Sequence, residues 1–213
     1  MKNILLPTDF SENAWNATVY AINLYKEDLC CFFLMNSYNV NGYYENSLMD
    51  PVPAKGELEK LKANSEEKLD RLCAIIKKRF SNPKHTFKCV AINKTLTDSI
   101  NHEIRQHPID VILIGTQGTT GSYEVIFGSN TVQILNEIKN CPILAVPSNV
   151  SFKVLKEIVL ATSHKIEHPK EDLKFLIELA KNNKSAIRIL HIEESMGLSI
   201  SQKHNKYHLE SCL

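Results

Sequence analysis

Residues 29–36, Leu-Cys-Cys-Phe-Phe-Leu-Met-Asn, carry an apolar side chain at every position but the last. A strand with one wet face alternates apolar and polar residues, whereas one that is apolar on successive residues suits a sheet covered on both faces. Shorter runs of similar character lie at 3–7, 86–92, 110–115 and 142–147. The segments between them read as helices. Ala14, Thr18, Ala21, Ile22 and Tyr25 recur at helical spacing behind Ser11, an N-cap residue followed by Glu12 in the first turn. The longest helix spans 57–80, with Leu58, Leu61, Leu69, Leu72, Ile75 and Ile76 on one stripe and a Lys/Glu-rich solvated face. Two further helices fall at about 97–106 and 128–139, and residues 37–55 read as an irregular loop. Strands and helices in this alternation predict right-handed β-α-β units: an α/β fold with a five-stranded, mainly parallel open sheet and helices on both faces.

The 213 residues suffice for one full domain and a remainder. A net charge of +1 gives no argument for nucleic acid or an anionic membrane as partner. No apolar run approaches the roughly 20 residues that span a bilayer, and Pro7 comes too early for a signal peptide. The six cysteines, 30, 31, 73, 89, 141 and 212, lack Cys-x-x-Cys spacing and read as buried free thiols of a reducing cytoplasm.

After residue 150 the pattern restarts. Residues 156–165, KEIVLATSHK, echo 2–11, KNILLPTDFS, with Ile158 over Ile4, Leu160 over Leu6 and Thr162 over Thr8. A helical stretch and a second strand, 186–194, follow, but no third strand and no second glycine cluster. The expected division is a complete domain, 1–150, and a partial second repeat, 151–213. Ser163 stands at the counterpart of Asp9.

Four of the seven glycines, Gly115, Gly118, Gly121 and Gly128, fall within fourteen residues, between a strand and the helix that opens near Ser129 and Asn130. Such a loop exposes backbone N–H groups, and the helix N-terminus adds about half a positive charge, which suits a phosphate. The site would lie at the carboxyl ends of the strands. No lysine follows Gly128, so this is not a Walker loop, and Gly115 to Gly118 is one residue too wide for a dinucleotide fingerprint. The alternative is a turn that binds nothing.

Gly115, Gly118, Gly128 and Ser129 match the Gly-x2-Gly-x9-Gly-Ser/Thr pattern of the ATP-binding branch of the universal stress protein family. Pro7-Thr8-Asp9-Phe10-Ser11, the strand before the glycines and Asn140-Cys141-Pro142-Ile143-Leu144-Ala145-Val146-Pro147 also resemble that family. The resemblance covers residues 1 to about 148, and 156–194 more loosely as a second family domain cut short. It implies an adenine nucleotide alpha hydrolase-like fold and a cytoplasmic stress-response sensor or regulator holding ATP, or a related adenine nucleotide, with Mg2+ or Mn2+. Gly118, Gly128, Ser129 and Asn130 would then hold the triphosphate, and Gly115 would shape the strand exit. Asp9 would approach the ribose and base, with Pro7 and Thr8 on the same edge. Asn36 takes the place where the family often has an apolar residue against adenine, a change that bears on base preference.

Asp9 is also suited to cap the first helix. The pairs His164/His168 and His204/His208 have a metal-binding spacing, but no acidic or cysteine ligand set converges on either, and they read as solvated side chains. No nucleophile elbow or zinc-protease motif is present, and the loop carries no lysine, so hydrolysis is expected to be slow or absent. Family members often dimerise, here through the edge strand 142–147. The rival readings are a nucleotide-free interaction module of the same fold and a slow ATPase.

Overall fold

The computed structural model describes residues 1–38, 55–116, 128–192 and 197–213. Gly118, Gly121 and most of the 37–55 loop lie outside the described residues. The described chain forms two compact units, Met1–Phe152 and Lys153–Leu213.

The first unit runs β1 (Lys2–Pro7), α1 (Glu12–Leu24), β2 (Cys30–Ser37), α2 (Lys55–Arg79), β3 (His85–Ile92), α3 (Leu96–Gln106), β4 (Val111–Gly115), α4 (Ser129–Glu137) and β5 (Ile143–Val146). Its strands pair in parallel in the order β3-β2-β1-β4-β5. The chain winds outward from β1 to β3, returns beside β1 as β4, and winds the other way to β5. Right-handed crossovers in opposite directions put α1 and α2 on one face and α3 and α4 on the other.

The doubly covered sheet explains the apolar run. Cys31, Phe33 and Met35 point to the face where Ile100, Ile134 and Ile138 of α3 and α4 complete a core with Leu5, Ile112 and Ile114. Cys30, Phe32 and Leu34 point the other way and are equally buried. Phe32 is fully buried, worth about 1.5–3 kcal/mol for a side chain of this kind. On α2 the buried stripe is Ser65, Leu69, Cys73 and Ile76; Ile75 is exposed, one position off the expected stripe. Ion pairs Lys62–Glu66 and Arg71–Glu67 lie on the solvated side of the helix. Four cysteines are buried, but Cys89, on edge strand β3, is exposed and Cys212 is partly exposed, contrary to the expectation of buried thiols.

The second unit contains β6 (Glu157–Ala161), α5 (Lys170–Asn183), β7 (Ala186–Leu190) and α6 (Ile200–Cys212), with β6 and β7 parallel. Its first turn repeats that of unit one. Thr8 Oγ1 accepts from Phe10 N, and Thr162 Oγ1 from His164 N, both at 3.0 Å. Phe10 and His164 both take left-handed backbone, φ 66° and 55°. Helix α6 was not anticipated in the sequence. It opens with a capping box between Ser199 and Gln202. His164 is buried, not solvated as expected, with α6 bonded to the backbone of its turn.

Candidate functional site

The strand order reverses between β1 and β4, and open α/β sheets hold ligands in the crevice beyond the carboxyl ends of such a pair. A cavity of about 360 Å³ lies there. Pro7, Thr8, Asp9, Asn36, Gly115, Gly128, Ser129 and Asn130 all line it. Gly118 is the one sequence-predicted residue outside the described part of the chain. The sequence reading missed Asn13, Thr131 and Ser37, which also line it.

The floor is set by the turn after β1. Thr8 N donates to Met35 O at 2.8 Å, prolonging the β1–β2 ladder, and the Thr8 hydroxyl then ties back to Phe10 N. Asp9 Oδ1 accepts from Ser11 N at 3.0 Å. Asp9 therefore braces the turn, and the cap of α1 is Ser11, whose Oγ accepts from Ala14 N.

Asn36 closes the β2 side. Its Nδ2 donates to Thr8 O at 2.7 Å, and its Oδ1 accepts at 2.7 Å from the hydroxyl of Ser65, buried on α2. An apolar residue would make neither bond. The polar side chain joins β1, β2 and α2 where the family pattern often has a hydrocarbon.

Gly115 ends β4 without a left-handed backbone; the positive-φ glycine among the described residues is Gly197. Its role is spatial. A Cβ there would sit 2.2 Å from Asn13 Nδ2, so the lack of a side chain lets α1 lay Asn13 against the strand end. Across the cavity, Thr131 Oγ1 donates to Gly115 O at 3.0 Å and Gly128 N donates to Thr116 O, which fasten the start of α4 to the end of β4. Gly128 is the N-cap of α4, with φ −64° and ψ 155°, and provides no side-chain cap. That backbone is open to any residue, so conformation does not demand glycine there. The first turn of α4, Ser129 to Thr131, lines the cavity with the positive end of its dipole.

Asp9 is the only ionisable side chain among the described residues lining the cavity. Residues 117–127 contain one glutamate, Glu124, and no lysine or arginine. Among the described residues, no group of three or more His, Cys, Asp or Glu could hold a metal ion. No helix among them is long and apolar enough to cross a membrane. The described lining is thus nearly uncharged, with hydrogen-bond donors on the wall formed by the start of α4.

The sequence model of the universal stress protein family matches residues 1–147. Among solved structures, the chain is similar to a universal stress protein from Archaeoglobus fulgidus DSM 4304, with TM-score 0.66 and 15% identity, over 98% of this chain and 74% of that one. It is also similar to universal stress protein UspA from Lactobacillus plantarum, with TM-score 0.52 and 22% identity, over 68% of this chain and 97% of that one. At these identities the likeness is one of fold. No curated protein matches the sequence.

Proposed function

The chain belongs to the universal stress protein family, and from that premise we propose that its first unit binds ATP, or a related adenine nucleotide, as the sensing step of a stress-response regulator. The observation that carries this reading is the convergence of Thr8, Asp9, Gly128, Ser129 and Asn130, far apart in sequence, on one cavity at the strand-order reversal. Its volume of about 360 Å³ falls in the range of ligand sites, about 300–1,000 Å³. The uncapped start of α4 supplies the donors and dipole that a polyphosphate needs. With Asp9 the only ionisable described residue of the lining, charge on the triphosphate would be met by Mg2+ or Mn2+ carried in with it.

The same scarcity of charge supports slow or absent hydrolysis. Phosphoryl transfer gains from cationic groups around the γ-phosphate and from a residue that orients water. Among the described lining residues there is no cationic side chain, and Asp9 is engaged by the turn. A second chain is proposed to pair at β5, an edge strand of the five-stranded sheet. The second unit, with Ser163 at the place of Asp9, is proposed to bind no nucleotide.

Magnesium-ATP titration by calorimetry tests the reading. The native chain is expected to bind, and Gly118→Ala with Gly128→Ala to abolish binding while circular dichroism stays unchanged. Because Gly128 has an ordinary φ, alanine there adds bulk at the cavity wall without backbone strain. No binding by the native chain would overturn the proposal in favour of a nucleotide-free interaction module. Phosphate release measured over hours tests the claim about hydrolysis.

A further inference from the structure

The second unit repeats the strand-end turn of the first with imidazoles in place of its side chains. Where Asn36 donates to the Thr8 carbonyl, His191 Nδ1 lies 2.9 Å from the Thr162 carbonyl. A carbonyl only accepts, which assigns the Nδ1 proton to His191. Where Phe10 holds left-handed backbone, His164 does so. The His164 ring is 2% exposed, stands 5.0 Å from the His191 ring, and has an Nδ1 without a hydrogen-bond partner among the described residues.

Helix α6 closes over this turn. Gln202 Nε2 donates to Ser163 O and Asn205 Nδ2 donates to His164 O, both at 2.9 Å. Leu209 is the buried residue of the helix, while Ile200 and Tyr207 are exposed. Two carboxamides and one leucine therefore hold α6 against a turn whose central side chain is a buried imidazole.

We propose that α6 is an acid-released latch, which protonation of His164 detaches from the turn at residues 163–168, uncovering the strand ends of the second unit. A proton on His164 would put a charge in a buried position beside His191 and His168, and facing Lys206 of α6, with Glu210 of α6 as the opposing charge. Burial first, then His191 and Lys206, hold the His164 pKa below its ordinary 6.5. The docked state thus favours neutral imidazole, while a released, solvated His164 would take its proton near 6.5. Docking is complete above that value and weakens as pH falls from it toward the lower pKa of the docked state. His208 of α6 lies 3.5 Å from Glu167. The pair is solvent-accessible and contributes little.

Hydrogen exchange on the full chain, corrected for intrinsic rates, tests the latch. Between about pH 7.5 and about pH 5.5 the protection of α6 amides is expected to fall, by up to the roughly tenfold that one group with a released pKa near 6.5 can supply, while β1 to β5 hold theirs. His164→Phe should keep α6 protected at the lower pH; Phe10 shows that a phenyl side chain takes this backbone. His164→Asn, a non-titrating residue that tolerates positive φ, is the second variant. Protection of β6 and β7 at the higher pH checks that each variant folds. In the native chain, the NMR titration midpoint of the His164 ring should coincide with α6 release. Native α6 that stays protected in acid, a variant that loses protection as the native chain does, or midpoints that differ would overturn the proposal.

Discussion

Gly115→Ala probes the contact that links the fold to the cavity. The added Cβ would lie 2.2 Å from Asn13 Nδ2, 2.6 Å from Cγ and 2.9 Å from Oδ1, against an optimal separation of about 3.5–4.0 Å. Gly115 has no left-handed φ, so alanine carries no backbone strain and gains about 0.5–1 kcal/mol in a strand. Asn13 is 8% exposed and must rotate toward the cavity or lift α1, an overpacking that costs about 1–3 kcal/mol. The net loss of up to about 2.5 kcal/mol corresponds to a fall in Tm of up to about 10 °C for a unit of this size. Trp15, the only tryptophan, sits two residues from Asn13 and reports urea unfolding of this part of the fold by its fluorescence. The decisive comparison is a double-mutant cycle with Asn13→Ala. Once that side chain is shortened to its Cβ, Gly115→Ala should cost little, giving a coupling of about 1 kcal/mol or more. An equal cost in both backgrounds, or none in the native chain, would refute the claim that Gly115 makes room for Asn13.

Two further predictions rest on separate observations. Asn36→Asp keeps the side-chain shape but sets a carboxylate oxygen against the Thr8 carbonyl at the present 2.7 Å. It should cost about 1–3 kcal/mol in urea unfolding and weaken magnesium-ATP binding, and unchanged stability would show that the Ser65–Asn36–Thr8 chain is dispensable. Cys89, although exposed as a residue, keeps its sulfur 3.6 Å from the Leu69 carbonyl, and burial of the thiol, with Cys73 beside it, pushes its pKa up to about 12. With its thiolate disfavoured, iodoacetamide at pH 8 should label it more slowly than a free cysteine peptide. Labelling at the peptide rate, followed by mass spectrometry, would refute the assignment.

The elements of the first unit were legible because two periodicities agree along its length. Continuous apolar runs can be buried only in a doubly covered sheet, and the segments between them carry apolar residues at helical spacing. Helix α6 was not legible by that route because it buries Leu209 and little else, so it has no apolar stripe to read. Its signal was the cap, Ser199 followed three residues later by Gln202, and it went unused. Ile75 was misplaced for a related reason. Adjacent isoleucines cannot both face the sheet, and Cys73 with Ile76, at a spacing of three, takes the buried line.

The candidate site was legible where it depends on strand ends, since parallel strands with a reversal between β1 and β4 must bring residues 7–9 and 115 together whatever else packs around them. Asn13, Ser65 and Thr131 enter from helices, and which helical side chain reaches a strand end depends on packing that one sequence does not display. The second unit repeats the strand-end turn without the rest of the crevice. Thr162 and His164 reproduce the hydrogen bond and the left-handed backbone of Thr8 and Phe10. Yet among the described residues that unit has no strand beside β6 to correspond to β4, and no helix start to correspond to α4. What distinguishes the first unit is therefore the second half of the crevice, the end of β4 fastened to the uncapped start of α4 by Thr131 and Gly128. If the first unit holds magnesium-ATP as proposed, calorimetry should show weaker binding when that fastening is cut, as in Thr131→Val, even with the turn after β1 intact, and unchanged binding would refute the role given to Thr131.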